Sequence, residues 1–185
     1  MSDTSQIYHR KSLGQHFLVN QGALRRVFEA ADIQTTDIVV EVGPGTGLLT
    51  QLLTQRARKV IAVEMDGDMV NLLKEKMGGL QNLSIIHADA REWDPATIKE
   101  PYKVVSNLPY YAATPIVRRF LECSLPPNVM SVTLQREVAQ SMTAAPGKMR
   151  ILSVAVQLYG NPRIIGYIHP SSFRPPPKVT SAIVR

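Results

Sequence analysis

The chain of 185 residues has one cysteine, Cys123. A lone cysteine excludes an internal disulfide and fits a reducing, cytosolic setting. No apolar run approaches the roughly 20 residues of a membrane-spanning helix, so no membrane partner is expected. Met1 to Lys11 is polar and lacks the hydrophobic stretch of a secretion signal. The expected location is therefore the cytoplasm. His9, His16, His87 and His169 are scattered without ligand spacing, and no Ser/His/Asp arrangement stands out. No metal is expected. Acidic residues are scarce in the second half: residues 101–185 hold 10 Lys/Arg and only 2 Asp/Glu, against 11 and 13 in residues 1–100. The overall charge of +6 is thus carried by one half, which suits a phosphate-backbone partner. Ordinary solubility charge is the plainer alternative.

With 44% hydrophobic residues the chain can build one domain with a core. Apolar runs alternate with helix-like periods. Asn20 is placed to cap a helix with Leu24, Val27, Phe28 and Ala31 on one face. Ile38 to Val42 reads as a strand buried on both sides. Leu48, Leu49, Leu52 and Leu53 repeat at helical spacing, and Val60 to Val63 is the next strand. Asp66 caps a helix ended by Gly78-Gly79. Leu83 to Ile86, Val104 to Val105 and Val129 to Leu134 read as further strands. Pro115 to Phe120 and Gln135 to Ala144 read as helices, and Ile151 to Leu158 leans the same way. Arg163 to Ile168 and Val179 to Val184 close the chain, most simply as an antiparallel edge pair. The alternation predicts an α/β fold, a mainly parallel sheet with helices on both faces. Ligands of such sheets bind beyond the carboxyl ends of the strands, which places the chemistry at Glu41–Gly47, Glu64, Asp89 and Asn107.

Gly43, Gly45 and Gly47 make a tight turn from strand into helix, where backbone can approach a ligand closely. The spacing is not that of the dinucleotide fingerprint. Glu64 ends the next strand about 20 residues after Gly43, where a carboxylate can accept from both hydroxyls of a ribose. Loop and acid together suit an adenosyl cofactor without separating a nicotinamide dinucleotide from S-adenosylmethionine. Asp89-Ala90 follows the third strand; the carboxylate can accept from an adenine amine, or form a plain turn. Asn107-Leu108-Pro109-Tyr110 is the strongest signal. The Asn107 oxygen and the Leu108 carbonyl can accept both protons of one amine. Pro109 fixes the backbone. Tyr110 offers a face for a flat base, and stacking needs its ring rather than its hydroxyl. The nicotinamide reading leaves this tetrapeptide unexplained. Phe173-Arg174-Pro175-Pro176-Pro177-Lys178 is a stiff basic loop whose Phe173 is placed to close the other side of a base pocket.

Four segments in order, Lys11 to Leu18, Glu41 to Gly47, Asn107 to Tyr110 and Phe173 to Val179, resemble those of the ribosomal RNA adenine dimethyltransferases of the small subunit. The resemblance runs from about Lys11 to Arg185. It implies a Rossmann-like class I methyltransferase fold with a seven-stranded sheet and S-adenosylmethionine as donor. The acceptors it implies are two neighbouring adenosines of small-subunit ribosomal RNA, alone or in a pre-ribosomal particle. Its cofactor positions fall on His16, Leu18, Gly43, Glu64, Asp89 and Asn107, with Gly45, Met65 and Ala90 beside them. Its base-holding positions fall on Asn107, Leu108, Pro109, Tyr110 and Phe173. Position 16 is often Asn in the family and is His16 here. The family usually continues into a small helical C-terminal domain, so residues 1–185 are expected to be the catalytic domain with an N-terminal extension, acting as a monomer. Two alternatives remain: a large-subunit RNA methyltransferase of the antibiotic-resistance type, and a methyltransferase-like binding factor in ribosome assembly or transcription.

Overall fold

The structure is a computed structural model that describes residues 15–185. Lys11 to Gly14, the start of the first resembling segment, and His9 lie outside the described residues. In chain order the elements are β1 (Phe17–Leu18), α1 (Gln21–Ala30), β2 (Ile38–Val42), α2 (Leu48–Thr54), β3 (Lys59–Glu64), α3 (Gly67–Met77) and β4 (Leu83–His87). They continue with β5 (Tyr102–Asn107), α4 (Ala113–Leu121), β6 (Val129–Gln135), α5 (Arg136–Met142), α6 (Ile151–Gln157), β7 (Ile164–Ile168), β8 (Phe173–Arg174) and β9 (Ser181–Val184).

Local chemistry explains where several of these begin and end. Asn20 accepts from the Ala23 N–H at 2.9 Å, which satisfies a free donor at the start of α1. Asp66 does the same for α3 through the Asp68 N–H, and Gly78 ends that helix. The expected strands and helices all form, most of them within two residues of the expected limits.

Seven strands make the main sheet in the order β4-β3-β2-β5-β6-β9-β7. The first five pair in parallel, and β9 runs antiparallel to both β6 and β7. The expected antiparallel pair is therefore present, but its later strand inserts next to β6 and leaves β7 at the edge. Chain order reverses between β2 and β5, so the crevice for a ligand opens above these two strands. One pairing had no sequence signal: β1 pairs with β8, Phe17 opposite Arg174 and Leu18 opposite Phe173. This two-residue ribbon straps the N-terminal segment to the loop before β9.

Successive strand residues face opposite layers. Val40, Val42, Val104 and Leu134 pack on one side with Val117, Phe120 and Met142. Val39, Val60, Val105 and Ile183 pack on the other with Leu24, Val27 and Leu53. Buried hydroxyls add ties: Ser131 Oγ donates to the Val27 carbonyl at 2.9 Å, joining β6 to α1, and Ser106 Oγ donates to the Val42 carbonyl, joining β5 to β2.

Glu41 interrupts the apolar run of β2. It is 2% exposed, and its Oε2 has no partner of full hydrogen-bond geometry, nor has the neighbouring Thr50 Oγ1. Burial pushes its pKa up to about 8, with Thr50 opposing the rise and the charge of Glu64 adding to it. The group is therefore neutral at pH 7 in the folded chain and ionised in the unfolded one. Between about 4.5 and about 8 the native state holds a proton that the unfolded state has lost, so stability falls as pH rises through that window and levels off above it. Glu41→Gln should abolish this slope, gaining on wild type as pH rises. Urea midpoints measured across the window check it; parallel curves for the two proteins would show that Glu41 ionises normally.

Candidate functional site

A crevice at the carboxyl ends of β2, β3, β4 and β5 gathers most of the sequence-predicted residues. His16, Gly43, Gly45, Glu64, Met65, Asp89, Ala90, Asn107, Leu108, Pro109 and Tyr110 all line it. Two others do not. Leu18 is 4% exposed and Phe173 fully buried, and both belong to the core on the α1 side. Phe173 is spent on the ribbon and on packing, so its ring is not an open wall of the crevice. Pairing with Leu18 in β1 draws it inward.

The glycine turn after β2 is held by the acid after β3. Glu64 is buried, its Oε2 accepting from the Gly45 N–H at 3.1 Å and its Oε1 from the Asp66 N–H at 2.9 Å. Burial raises its pKa, and these backbone donors pull against that rise. Gly45 has φ +54, and a Cβ there would sit 2.6 Å from Phe17 Cε1. Glycine at this position thus serves two needs: a left-handed backbone, and room for an aromatic ring from the strap.

Asp89 has a partner that sequence reasoning missed. Arg91 Nε donates to both its oxygens at 3.0 Å, and the Arg91 N–H to Oδ1 at 2.9 Å. The guanidinium holds the Asp89 carboxyl below its usual range.

Asn107 is the last residue of β5. Its Nδ2 donates to the His16 carbonyl at 3.0 Å. That bond uses the donor end of the amide and turns Oδ1 the other way. Oδ1 is buried without a hydrogen-bond partner. A buried amide oxygen left unpaired is costly, and in a crevice it marks where a donor is meant to arrive. His16 also packs its ring on Tyr110, with centroids 5.4 Å apart and planes at 33°. Its Nδ1 lies 2.8 Å from the Pro175 carbonyl. The Tyr110 hydroxyl bonds Ser181 Oγ, so it is not the idle group expected from the sequence.

Other lining residues were not singled out, among them Gln15, Phe17, Ala88, Tyr111 and Ile116. For Gln15 and Phe17 a signal existed, since both fall inside the Gly14 to Leu18 stretch. Gln15 Nε2 donates to Asp66 Oδ2 at 3.2 Å, and its Oε1 is a second buried oxygen without a partner. Among the described residues no His/Cys/Asp/Glu group has the geometry to hold a metal.

A five-strand parallel run with an antiparallel strand inserted beside it, and a glycine turn and acids at the strand ends, define a class I methyltransferase fold. Comparison with known proteins narrows this. The family model for ribosomal RNA adenine dimethylase matches residues 7–185, and the chain belongs to that family. It is 48% identical over 179 residues to ribosomal RNA small subunit methyltransferase A of Dehalococcoides mccartyi, covering 95% of this chain and 62% of that protein. It is 43% identical over 183 residues to the protein of that name from Alkaliphilus metalliredigens, covering 95% of this chain and 64% of the relative. The chain thus spans a little under two thirds of the length of these relatives. Among solved structures it resembles a dimethyladenosine transferase from Plasmodium falciparum, with 32% identity and a TM-score of 0.81 over 91% of this chain and 62% of that one. It resembles the 23S rRNA methyltransferase ErmE equally well, with 32% identity and a TM-score of 0.81 over 91% of this chain and 68% of the other.

Gly45→Ala should force Phe17 out of its place against the loop. The expected cost is about 1–3 kcal/mol, the scale for overpacking a filled site. Thermal melting reads this, and an unchanged midpoint would mean that the strap yields freely.

Proposed function

We propose that this chain transfers methyl groups from S-adenosylmethionine to the exocyclic amines of adjacent adenosines in small-subunit ribosomal RNA, free or in a pre-ribosomal particle. The observation that carries the reading is the buried, unpartnered Oδ1 of Asn107, a crevice-lining residue whose donor end is already taken by the His16 carbonyl. Family membership and relatives named for small-subunit RNA support the substrate class.

The residues present suit the cofactor. The turn at Gly43 and Gly45 has positive φ, and Gly43 brings no side chain to exclude a ligand. Glu64 and Asp89 provide carboxylates at two successive strand ends for hydroxyl and amine donors. His16 and Asn107 stand at the end of the crevice nearest Tyr110. When bound, S-adenosylmethionine supplies an electrophilic methyl group.

The protein's own contribution is orientation. Asn107 Oδ1 accepts one proton of the adenine amine and the Leu108 carbonyl accepts the other, so the nitrogen lone pair is directed rather than free to rotate. Both oxygens also favour the positive charge that develops as the amine attacks. Pro109 keeps the Leu108 carbonyl in place. Tyr110 stacks on the base and shields the reacting amine from water. The amine would attack as the neutral species, with the demethylated cofactor as leaving group, and would release its proton to solvent afterwards.

Two measurements test the reading. Calorimetry should find one site for the cofactor or its demethylated product, weakened by roughly 1.5–3 kcal/mol in Glu64→Ala, the scale for a charged hydrogen-bond partner. Equal affinities would remove Glu64 from the site. Asn107→Ala should slow methyl transfer at saturating cofactor by about 100-fold or more, the scale for one preorganised transition-state hydrogen bond, with RNA affinity little changed. Near-normal transfer would leave the binding-factor reading instead. The equal likeness to ErmE keeps a large-subunit target as the second reading, and mapping of labelled nucleotides on unmodified particles of both subunits decides between them.

A further inference from the structure

Ser181 stands at the start of β9, opposite Gln135 of β6 and Ile168 of β7. It is fully buried in an otherwise apolar strand, Ser181-Ala182-Ile183-Val184. A small apolar residue would fill that space without cost, whereas a buried hydroxyl is unfavourable unless paired. Its partner is the hydroxyl of Tyr110, 71 residues earlier, which reaches across the end of β6 to meet it. Among the described residues Ser181 Oγ has no other hydrogen-bond partner.

Tyr110 is thus held at two points. Its tip is tied to Ser181, and one face is covered by the His16 ring at 5.4 Å. What remains open is the side toward the crevice that it lines with Asn107 and Leu108. A ring free to rotate about χ1 would have to be ordered again each time a base arrives. One pinned in advance offers its face ready, and the base lies at a defined height against Asn107 Oδ1.

We propose that Ser181 is a positioning residue for methyl transfer: by holding the Tyr110 hydroxyl it fixes where the ring stands, while the His16 ring limits its turn about its own axis, and together they set the angle at which the adenine amine meets Asn107. The proposal rests on the function proposed above.

The test is single-turnover methyl transfer to unmodified ribosomal particles at saturating cofactor and RNA, by wild type, Ser181→Ala, Tyr110→Phe and the double variant. Each single change should slow the step about three- to tenfold, the scale for one neutral hydrogen bond. The double variant should be no slower than the slower single, because both remove the same bond. Ser181→Thr, which keeps the hydroxyl, should recover most of the rate. Cofactor affinity by calorimetry should stay near wild type, while the melting midpoint should fall in each single variant, which leaves one buried hydroxyl unpaired, and recover in the double. In carbon-labelled tyrosine spectra, Ser181→Ala should shift the Tyr110 ring signal. Wild-type rates in both single variants, or losses that multiply in the double, would overturn the proposal. So would an unmoved Tyr110 signal, which is readable even if Ser181→Ala is inactive. No transfer by the wild-type chain would instead count against the function proposed above, and the tyrosine signal would still decide the role of Ser181.

Discussion

The crevice depends on one hydrogen bond between parts of the chain 91 residues apart, from Asn107 Nδ2 to the His16 carbonyl. An asparagine amide has two ends of opposite character, and a strand end alone does not choose between them. The His16 carbonyl can only accept, so it selects the donor end and leaves the acceptor end without a partner. A backbone group sets this polarity, so the side chain at position 16 can vary without losing it. The histidine ring that stands there adds a second contact, packing on Tyr110.

The strap that brings His16 into place is held by very little chain. Two residues of β1 pair with two of β8, and the hydrogen bonds of Val19 and Asn20 to the Ser172 carbonyl extend the contact. Leu18 and Phe173 give the ribbon its hold, because both sink into the core on the α1 side. Phe17 points the other way and occupies the space that a side chain on Gly45 would need. Strap and glycine turn therefore constrain each other, while Glu64 clamps the turn from below. Residues that look like separate motifs along the chain act as one packed unit.

Charge is divided along the same lines. Glu64 and Asp89, the two acids that line the crevice, come from the first half of the chain. The second half supplies Asn107 to Ala112 and Ile116 to the same crevice, and carries nearly all of the uncompensated positive charge. Among the described residues no helix is long and apolar enough to cross a membrane.

Strand and helix positions, the parallel sheet and the crevice at its carboxyl ends were legible in the sequence. Runs such as Ile38 to Val42 and caps such as Asn20 and Asp66 act locally, and burial on both faces leaves a sequence few other choices. Gly43, Glu64, Asp89 and Asn107 could be placed for the same reason: each directly follows or ends a strand. What the sequence could not state were contacts between residues distant in the chain. Phe173 looked like a wall of the base pocket, yet a two-residue ribbon turns it into the core. The Tyr110 hydroxyl looked idle, yet a strand inserted out of order brings Ser181 to it. Asp89 stood at its strand end without a named partner, and the structure gives it one in Arg91. Local pattern determines which residues face inward and which strand ends carry polar groups. Only the tertiary structure decides which of those groups meet, because a hydrogen bond between positions 16 and 107, or 110 and 181, leaves no periodicity in the sequence to be read.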